Sequence, residues 1–286
     1  MTPDFDRICR LLAEHQIANP RLETRLLMAA VKQCPSENIY SDTFLTPEQT
    51  SRLEEFVRLR LAHYPLDKIL GHRAFYKADF IVDESVLSPR PDTEILVEEA
   101  LLLVPAEQTA NHTILDLGTG SGCIIESLLA ENPVSTGVAV DISDKSLQIA
   151  RLNAQKLNLT NRLRFICADW FDDNFLTIID QKFDLIVSNP PYIPTADIST
   201  LEPEVKNHDP LLALDGGKDG LTSYKRLAEL APHLLKPKGC IVLEVGINQA
   251  QSVAEIFIRQ KMKLLKIAKD LGGIDRCLVL QKNSVK

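Results

Sequence analysis

The tetrapeptide Asn189-Pro190-Pro191-Tyr192 has side chains suited to holding a flat nitrogen group. It directly follows an apolar run, residues 183–188, that is typical of a buried parallel strand. Two prolines cannot extend a sheet, so the Asn189 side chain and the Pro190 carbonyl should lie at its carboxyl edge, where open α/β sheets bind ligands. An amide, a fixed carbonyl and an aromatic face suit an NH2 group on a planar acceptor. The alternative is a plain strand-ending turn.

A glycine-rich turn follows another predicted strand, residues 112–117, and its members are Gly118, Thr119, Gly120, Ser121 and Gly122. Glycine lets a backbone turn sharply and come close to a ligand. The spacing is GxGxG rather than the GxGxxG of dinucleotide folds, which disfavours a nicotinamide cofactor. Asp141 ends the next predicted strand, where a carboxylate can meet ribose hydroxyls, although an acid there can also cap the following helix.

Asp169 and Trp170 follow a third predicted strand, residues 163–168, and Trp170 is the only tryptophan of the chain. The carboxylate could accept from the exocyclic amine of adenine while the indole packs on the base. An isolated tryptophan is more often part of a core. Because this pair lies at the same kind of strand end as the glycine turn and Asp141, we predict that it contacts a nucleoside.

Alternating helices and strands are predicted to position these residues. Strands are expected near 112–117, 136–141, 163–168, 183–188, 239–245, 263–268 and 276–282, and helices near 95–104, 121–131, 144–157, 220–235 and 248–260. This order predicts a mostly parallel sheet with helices on both faces. The proline-containing strip 88–94 is expected to be extended, and residues 193–220 are expected to form a loop or lid.

Residues 1–74 predict a separate bundle of three or four helices. Thr2-Pro3, Asn19-Pro20 and Thr46-Pro47 each place a capping residue before a proline at the first helical position. Thr46 and Gln49 also have capping-box spacing. We interpret residues 1–74 as a helical substrate-recognition domain, residues 75–90 as a hairpin linker and residues 91–286 as the catalytic domain.

The composition excludes several classes of protein. The chain has 286 residues, 45% of them apolar, and a formal net charge of -7, which argues against a broad nucleic-acid footprint. Its six cysteines have no CxxC or Cys/His spacing, so we expect free thiols and no metal site. Neither a targeting peptide nor a membrane span is indicated, which predicts a cytoplasmic protein with no membrane partner.

Four segments resemble the HemK/PrmC family of peptide chain release factor glutamine N5-methyltransferases; they are Leu87–Glu94, Asp116–Gly122, Asn189–Tyr192 and Asp209–Gly217. The resemblance implies an α/β fold, a seven-stranded Rossmann-like class I methyltransferase domain joined to the helical bundle by the hairpin. It implies S-adenosylmethionine as cofactor, S-adenosylhomocysteine as product, no metal, and class 1 release factors as partners. It further implies cofactor contacts from Gly118–Gly122, Asp141, Asp169 and Trp170.

The same resemblance implies that Asn189, Pro190, Pro191 and Tyr192 hold the glutamine of the release factor's Gly-Gly-Gln loop. We assign catalysis to Asn189, Pro190 and Tyr192, and we expect Asn189 to contact the cofactor as well. Adenine N6 methyltransferases of DNA or RNA share the Asn-Pro-Pro-Tyr motif, and a ribosomal-protein glutamine methyltransferase or a non-catalytic binding module are further alternatives. The acidic chain and the intact strip Pro89–Glu94 favour the release factor glutamine.

Overall fold

A computed structural model describes residues 5–40, 43–105 and 111–283 of the chain. It divides into two compact units, the first formed by residues 1–72 and 202–208 and the second by residues 73–201 and 209–286. The predicted cap at Thr2-Pro3 lies outside the described residues. Within the described ranges, no helix combines the length and the apolar character that a membrane crossing requires.

The first unit is a helical bundle. Its helices are α1 (Phe5–Glu14), α2 (Pro20–Lys32), α3 (Pro47–Leu61), α4 (Leu66–Leu70) and α9 (Pro203–His208). Leu12, Leu27 and Leu53 are buried together in its core. The capping box that begins α3 is confirmed, with Gln49 N donating to Thr46 Oγ1 at 3.2 Å and Thr46 N donating to Gln49 Oε1 at 3.0 Å. The prediction for Asn19 is wrong: it precedes α2 in the left-handed conformation, and its side chain makes no capping hydrogen bond.

Helix α9 belongs to the first unit although it comes from the long segment after Tyr192. The Arg60 guanidinium, only 3% exposed, donates to Glu204 on α9 at 2.7 Å and to Glu23 on α2 at 2.5 Å. Lys68 Nζ donates to the His208 carbonyl at 2.7 Å. Residues 193–220 were expected to form a loop or lid; the short helical elements of this segment, a 3-10 turn (Thr195–Thr200), α9 and α10 (Leu211–Leu214), were not predicted.

The second unit is built on a seven-stranded sheet. A hairpin of β1 (His72–Phe75) and β2 (Ala78–Ile81) precedes it, and the sheet strands are β3 (Thr113–Leu117), β4 (Thr136–Asp141), β5 (Leu163–Cys167), β6 (Phe183–Ser188), β7 (Leu235–Glu244), β8 (Met262–Lys269) and β9 (Asp275–Lys282). The remaining helices are α5 (Glu94–Leu103), α6 (Cys123–Glu131), α7 (Asp144–Lys156), α8 (Phe175–Ile178), α11 (Thr222–Leu234) and α12 (Ala250–Arg259). The predicted α/β class is confirmed.

The strand order is β5-β4-β3-β6-β7-β9-β8, and all neighbours are parallel except those of β9, which is antiparallel to β7 and β8. The chain moves outward from β3 through β4 to β5 and then returns to place β6 on the other side of β3. Ligands of open α/β sheets bind where the order reverses in this way. The carboxyl ends of β3 and β6 therefore mark the expected site.

Two apolar clusters cover the faces of this sheet. One contains Leu115, Ile186 and Tyr224, and the other contains Leu128 and Val187. Strand residues alternate between the two faces, so a strand buried on both sides reads as a continuous apolar run. One local expectation is wrong: Pro91–Thr93 is a 3-10 turn rather than extended chain, because proline at its first position favours a helical turn.

Candidate active site

The glycine turn Gly118–Gly122 joins β3 to α6 at the switch point of the sheet. Gly118 and Gly120 have φ values of +77° and +55°, which glycine adopts without strain. The backbone N–H groups of Gly118 and Thr119 donate to the Val140 carbonyl at 2.9 and 3.0 Å, which ties the turn to β4. A Cβ atom on Gly120 would meet no heavy atom within 4 Å, so this side of the turn is open to a ligand.

Two acidic side chains are buried beneath this turn. Asp116 Oδ2 accepts from the Thr119 hydroxyl at 2.7 Å, and burial raises the pKa of Asp116 to about 7. Burial, with the nearby charge of Asp116, also raises the pKa of Glu126 well above its usual range. Among the described residues, Asp116 Oδ1 and both carboxyl oxygens of Glu126 have no hydrogen-bond partner. Burial therefore opposes ionisation of both carboxyl groups, and a cation bound beside them would favour their ionised forms.

Asp141 lies at the end of β4 and holds the glycine turn. Its Oδ2 accepts from Gly120 N at 2.9 Å, and its Oδ1 accepts from Ser143 N at 2.9 Å. Burial raises the pKa of Asp141, while these backbone N–H groups act in the opposite direction. Ser143 provides the side-chain cap of α7, accepting from Ser146 N at 3.2 Å. The carboxylate of Asp141 is thus anchored beside the open face of the turn, as a ribose ligand requires.

Trp170 follows β5 and packs against the glycine turn from another side. A Cβ atom on Gly118 would lie 3.0 Å from Trp170 Cη2, so the indole fixes that edge of the turn. The indole Nε1 is buried without a hydrogen-bond partner among the described residues. Arg226 Nε donates to the Trp170 carbonyl at 2.8 Å, and Asp169 Oδ1 accepts from Phe171 N at 2.8 Å. The structure therefore brings Trp170 to the turn, whereas Asp169 is part of a local backbone turn.

Asn189 is the first residue after β6 and faces the strip Leu87–Glu94. Its Nδ2 donates to Thr93 Oγ1 at 3.4 Å, which leaves Oδ1 as the acceptor of this amide. Ser188 Oγ donates to the Leu117 carbonyl at 2.6 Å, so the ends of β6 and β3 are joined directly. The Asn-Pro-Pro-Tyr motif and the glycine turn consequently lie side by side at the switch point.

The strip is fixed at two further residues. Asp92 pairs with Arg276 at 3.3 Å, and Glu94 Oε1 accepts from Tyr76 N at 3.0 Å. Thr93, the strip residue that contacts Asn189, is 3% exposed. The strip thus links the hairpin, the acceptor motif and β9 within one unit.

Tyr192 is held at both its backbone and its hydroxyl. Gln249 Nε2 donates to the Tyr192 carbonyl at 2.9 Å, and the Tyr192 hydroxyl donates to Glu244 Oε1 at 3.2 Å. Burial and the neighbouring Glu244 raise the pKa of Tyr192, so the phenol stays protonated at neutral pH. Glu244 was not among the predicted site residues, although it is the last residue but one of the predicted strand 239–245, where an acid after an apolar run is the available signal.

These residues fit S-adenosylmethionine, which combines adenine, ribose and positively charged groups. The open face of Gly120 leaves room for a ligand beside the turn, and the anchored carboxylate of Asp141 suits ribose hydroxyls. A cationic group of the ligand would favour ionisation of the buried acids Asp116 and Glu126. Within the described ranges, no group of three His, Cys, Asp or Glu side chains has a metal-binding arrangement. The six cysteines are free thiols.

Comparisons with known proteins identify the family. A model described as "Methyltransferase domain" matches residues 108–274, and one described as "PrmC N-terminal domain" matches residues 5–71. A release factor glutamine methyltransferase of Rhodospirillum rubrum is 41% identical over 94% of this chain and 81% of its own length. The chain belongs to the release factor glutamine methyltransferase family. A second member, from Caulobacter vibrioides, is 38% identical over 96% of this chain and 94% of its own length.

A solved structure shows the same fold in a distant protein. The crystal structure of a methyltransferase from Pyrococcus furiosus covers 83% of this chain and 100% of its own, with 18% identity and a TM-score of 0.53. At that identity the likeness concerns the fold alone. This likeness in fold is consistent with the seven-stranded sheet of the present protein.

Proposed function

We propose that this protein transfers a methyl group from S-adenosylmethionine to the side-chain amide nitrogen, N5, of the glutamine in the Gly-Gly-Gln loop of class 1 release factors. Family membership supports the reaction class. The observation that carries the acceptor site is the Asn189–Thr93 hydrogen bond, because it orients the Asn189 amide at the switch point beside the glycine turn. The relatives' names supply the release factor.

The cofactor side is proposed to comprise Gly118–Gly122, Asp141, Asp169 and Trp170, with Asn189 at the boundary to the acceptor. S-adenosylmethionine supplies a methyl group bound to a positively charged sulfur. Asp141 would accept hydrogen bonds from the ribose hydroxyls, since its two oxygens are already held in place by Gly120 and Ser143. A cation bound beside the buried acids Asp116 and Glu126 would lower their raised pKa values, so cofactor binding and their ionisation would favour each other.

The acceptor side is proposed to act by orientation and charge stabilisation. A carboxamide nitrogen is a poor nucleophile because its lone pair is delocalised. If Asn189 Oδ1 and the Pro190 carbonyl accept its two N–H bonds, positive charge developing on the nitrogen is stabilised and the lone pair turns out of the amide plane. Tyr192 would pack on the amide and fix its tilt, and Pro191 would hold the turn rigid. Alignment of this kind provides on the order of 7 to 11 kcal/mol in favourable model reactions.

Proton loss needs no dedicated base in this scheme. Once the nitrogen carries the methyl group, its N–H becomes acidic and its proton passes to water or to a hydrogen-bonded carbonyl. Neutral acceptors at Asn189 and Pro190 suit this step because they do not change their charge with pH.

The helical unit is proposed to recognise another part of the release factor, and the protein is proposed to work in the cytoplasm, where its substrate takes part in translation. The formal net charge of -7 favours a protein partner over a direct nucleic-acid partner.

Methyl transfer can be tested with labelled S-adenosylmethionine and either purified class 1 release factors or DNA, with the labelled position mapped by mass spectrometry. Label on the glutamine of the Gly-Gly-Gln loop is expected. A release factor with asparagine in place of that glutamine is the matched control and should remain unlabelled. Label on adenine, or on a different release factor residue, would refute the proposal.

The variant Asn189→Ala tests the site in the same assay. We expect turnover to fall by about 10²- to 10³-fold or more, because removal of one group that stabilises developing charge has that effect in other enzymes. Cofactor affinity, measured by calorimetry, should change little. Near-normal turnover of this variant would exclude Asn189 from the reaction.

A further inference from the structure

Gln249 lies immediately before helix α12 and connects the end of β7 to the acceptor motif. Its side-chain amide does not cap the helix. Instead, its Nε2 donates to the Tyr192 carbonyl at 2.9 Å, and its Oε1 accepts from Gly246 N at 3.1 Å. A carbonyl requires a donor and an N–H group requires an acceptor, so a neutral amide satisfies both at once. Gln249 was not among the predicted site residues.

Gly246 provides the surface on which the Tyr192 ring lies. A Cβ atom on Gly246 would come within 3.0 Å of Tyr192 Cδ2 and 2.6 Å of Gln249 Oε1, so the ring and the amide both pack directly on this backbone. A Cβ atom on Gly220 would lie 2.4 Å from the Tyr192 carbonyl oxygen and 2.6 Å from Gln249 Nε2. Glycine at both positions leaves the space that the hydrogen bond between Gln249 and Tyr192 needs. One amide thus holds the Tyr192 backbone and the backbone that supports its ring.

The motif Asn189–Tyr192 is anchored at both ends. Before its first residue, Ser188 Oγ donates to the Leu117 carbonyl at 2.6 Å. At its last residue, Gln249 holds the carbonyl. The two prolines between these ends have fixed φ angles, so few backbone torsions can change. The direction of the Pro190 carbonyl therefore depends on where the two ends are held.

Other bonds keep the surrounding backbone in place without the Gln249 side chain. The backbone N–H of Gln249 donates to the Gly246 carbonyl at 3.1 Å, and Val253 N donates to the Gln249 carbonyl at 2.9 Å. Ile193, the residue after the motif, donates its N–H to the Leu214 carbonyl at 3.0 Å. Removal of the amide should therefore release the Tyr192 peptide group while the corner between β7 and α12 stays folded.

We propose that Gln249 is a positioning residue of the acceptor site. By holding the Tyr192 peptide group it sets the direction of the Pro190 carbonyl, two residues earlier. By holding Gly246 it sets the tilt of the Tyr192 ring. The Pro190 carbonyl accepts an N–H bond of the substrate amide and the ring packs on the amide plane, so both contacts depend on Gln249. The role rests on the proposed function, because these two contacts act on a bound carboxamide.

Gln249→Met removes both hydrogen bonds while keeping an unbranched side chain of similar length. We expect kcat for release factor methylation to fall by about 10- to 10²-fold, as small misplacements of reacting groups do in enzymes. The affinity for S-adenosylmethionine, measured by calorimetry, should change little, because Gln249 acts on the acceptor side. Gln251→Met is the matched control: Gln251 lies two residues further along, is exposed and donates to Glu255 on the same helix. This control should retain the wild-type kcat.

Gln249→Glu separates the bond to Tyr192 from the bond to Gly246. At about pH 8 the ionised carboxylate can still accept from Gly246 N, but it cannot donate to the Tyr192 carbonyl. We expect its kcat to be as low as that of Gln249→Met. A wild-type kcat in either variant would overturn the positioning role. A loss of cofactor affinity that parallels the loss of kcat would also overturn it, because the side chain would then have a general structural role.

NMR of the Tyr192 carbonyl gives a readout that needs no substrate. Tyr192-Ile193 is the only Tyr-Ile pair of the sequence. Tyrosine labelled at its carbonyl carbon and isoleucine labelled at its nitrogen therefore give one correlated signal, from this peptide bond. The signal should shift in both Gln249 variants and stay unchanged in Gln251→Met.

The two readouts distinguish the two proposals. A carbonyl signal that does not shift in the Gln249 variants overturns the positioning role, because the Tyr192 peptide group is then held without the amide. A wild-type enzyme that does not label the release factor overturns the proposed function instead, and the NMR signal still decides whether Gln249 holds Tyr192.

Discussion

Asp116 should make the second unit less stable as the pH rises from 5 to 8. The side chain is fully buried under the glycine turn, and burial raises its pKa from 3.8 to about 7. The folded state therefore holds a proton that the unfolded chain has lost over this range. A raised folded-state pKa contributes stability that is present below the unfolded pKa and is lost as the pH passes through about 7. Between pH 5 and pH 8 the loss from this group is about 2.5 kcal/mol.

Asp116→Asn isolates this contribution. The asparagine keeps an oxygen to accept from the Thr119 hydroxyl, as Asp116 does at 2.7 Å, but it cannot ionise. The free energy of unfolding is measured in urea at both pH values from the fluorescence of Trp170, which is the only tryptophan and packs against this turn. Relative to the variant, the wild type should lose about 2.5 kcal/mol between pH 5 and pH 8.

Asp184→Asn is the control for this experiment. Burial opposes ionisation of Asp184, but hydrogen bonds from Lys236 and Thr113 outweigh it and lower the pKa of this carboxyl group. It is therefore ionised throughout the range, and the difference in unfolding free energy between wild type and this variant should be the same at pH 5 and pH 8. A pH-independent difference for Asp116→Asn as well would refute the argument that burial keeps Asp116 protonated.

Three further outcomes are expected. Asp141→Ala should weaken S-adenosylmethionine binding by calorimetry, because the turn loses the acceptor of Gly120 N–H, and unchanged affinity would contradict the assigned role. Gly118→Ala should lower the free energy of unfolding of the second unit, measured in urea, by about 1 to 3 kcal/mol. The φ of Gly118 is +77°, and the new methyl group would press on Trp170. An unchanged free energy of unfolding would contradict this reasoning, because it would show that the turn relaxes. Arg60→Ala should speed the hydrogen–deuterium exchange of the backbone amides of residues 203–208, measured by mass spectrometry, because Glu204 on α9 loses its ion pair with Arg60 at 2.7 Å. An unchanged exchange rate would mean that other contacts hold α9.

Much of the second unit could be predicted from local patterns. The apolar run 183–188 became β6 with the same limits, because a strand buried on both faces has little choice of side chain. The capping box at Thr46 was also predictable, since it depends on two residues three positions apart. Asn19 also precedes a proline but makes no side-chain cap, because its backbone is left-handed rather than in the extended conformation that capping residues adopt.

The sequence by itself determined the fold class, the glycine turn, the acceptor motif and the family resemblance, because each depends on residues close together in the chain. Only the tertiary structure decided how separate segments combine. Thr93 meets Asn189 across 96 positions, and Tyr192 meets Glu244 across 52. Pairings of that kind are set by the order of strands in the sheet, which places β3, β6 and β7 next to one another. Residues 202–208 likewise join the helical unit through Arg60, whose partner on α9 is 144 positions away.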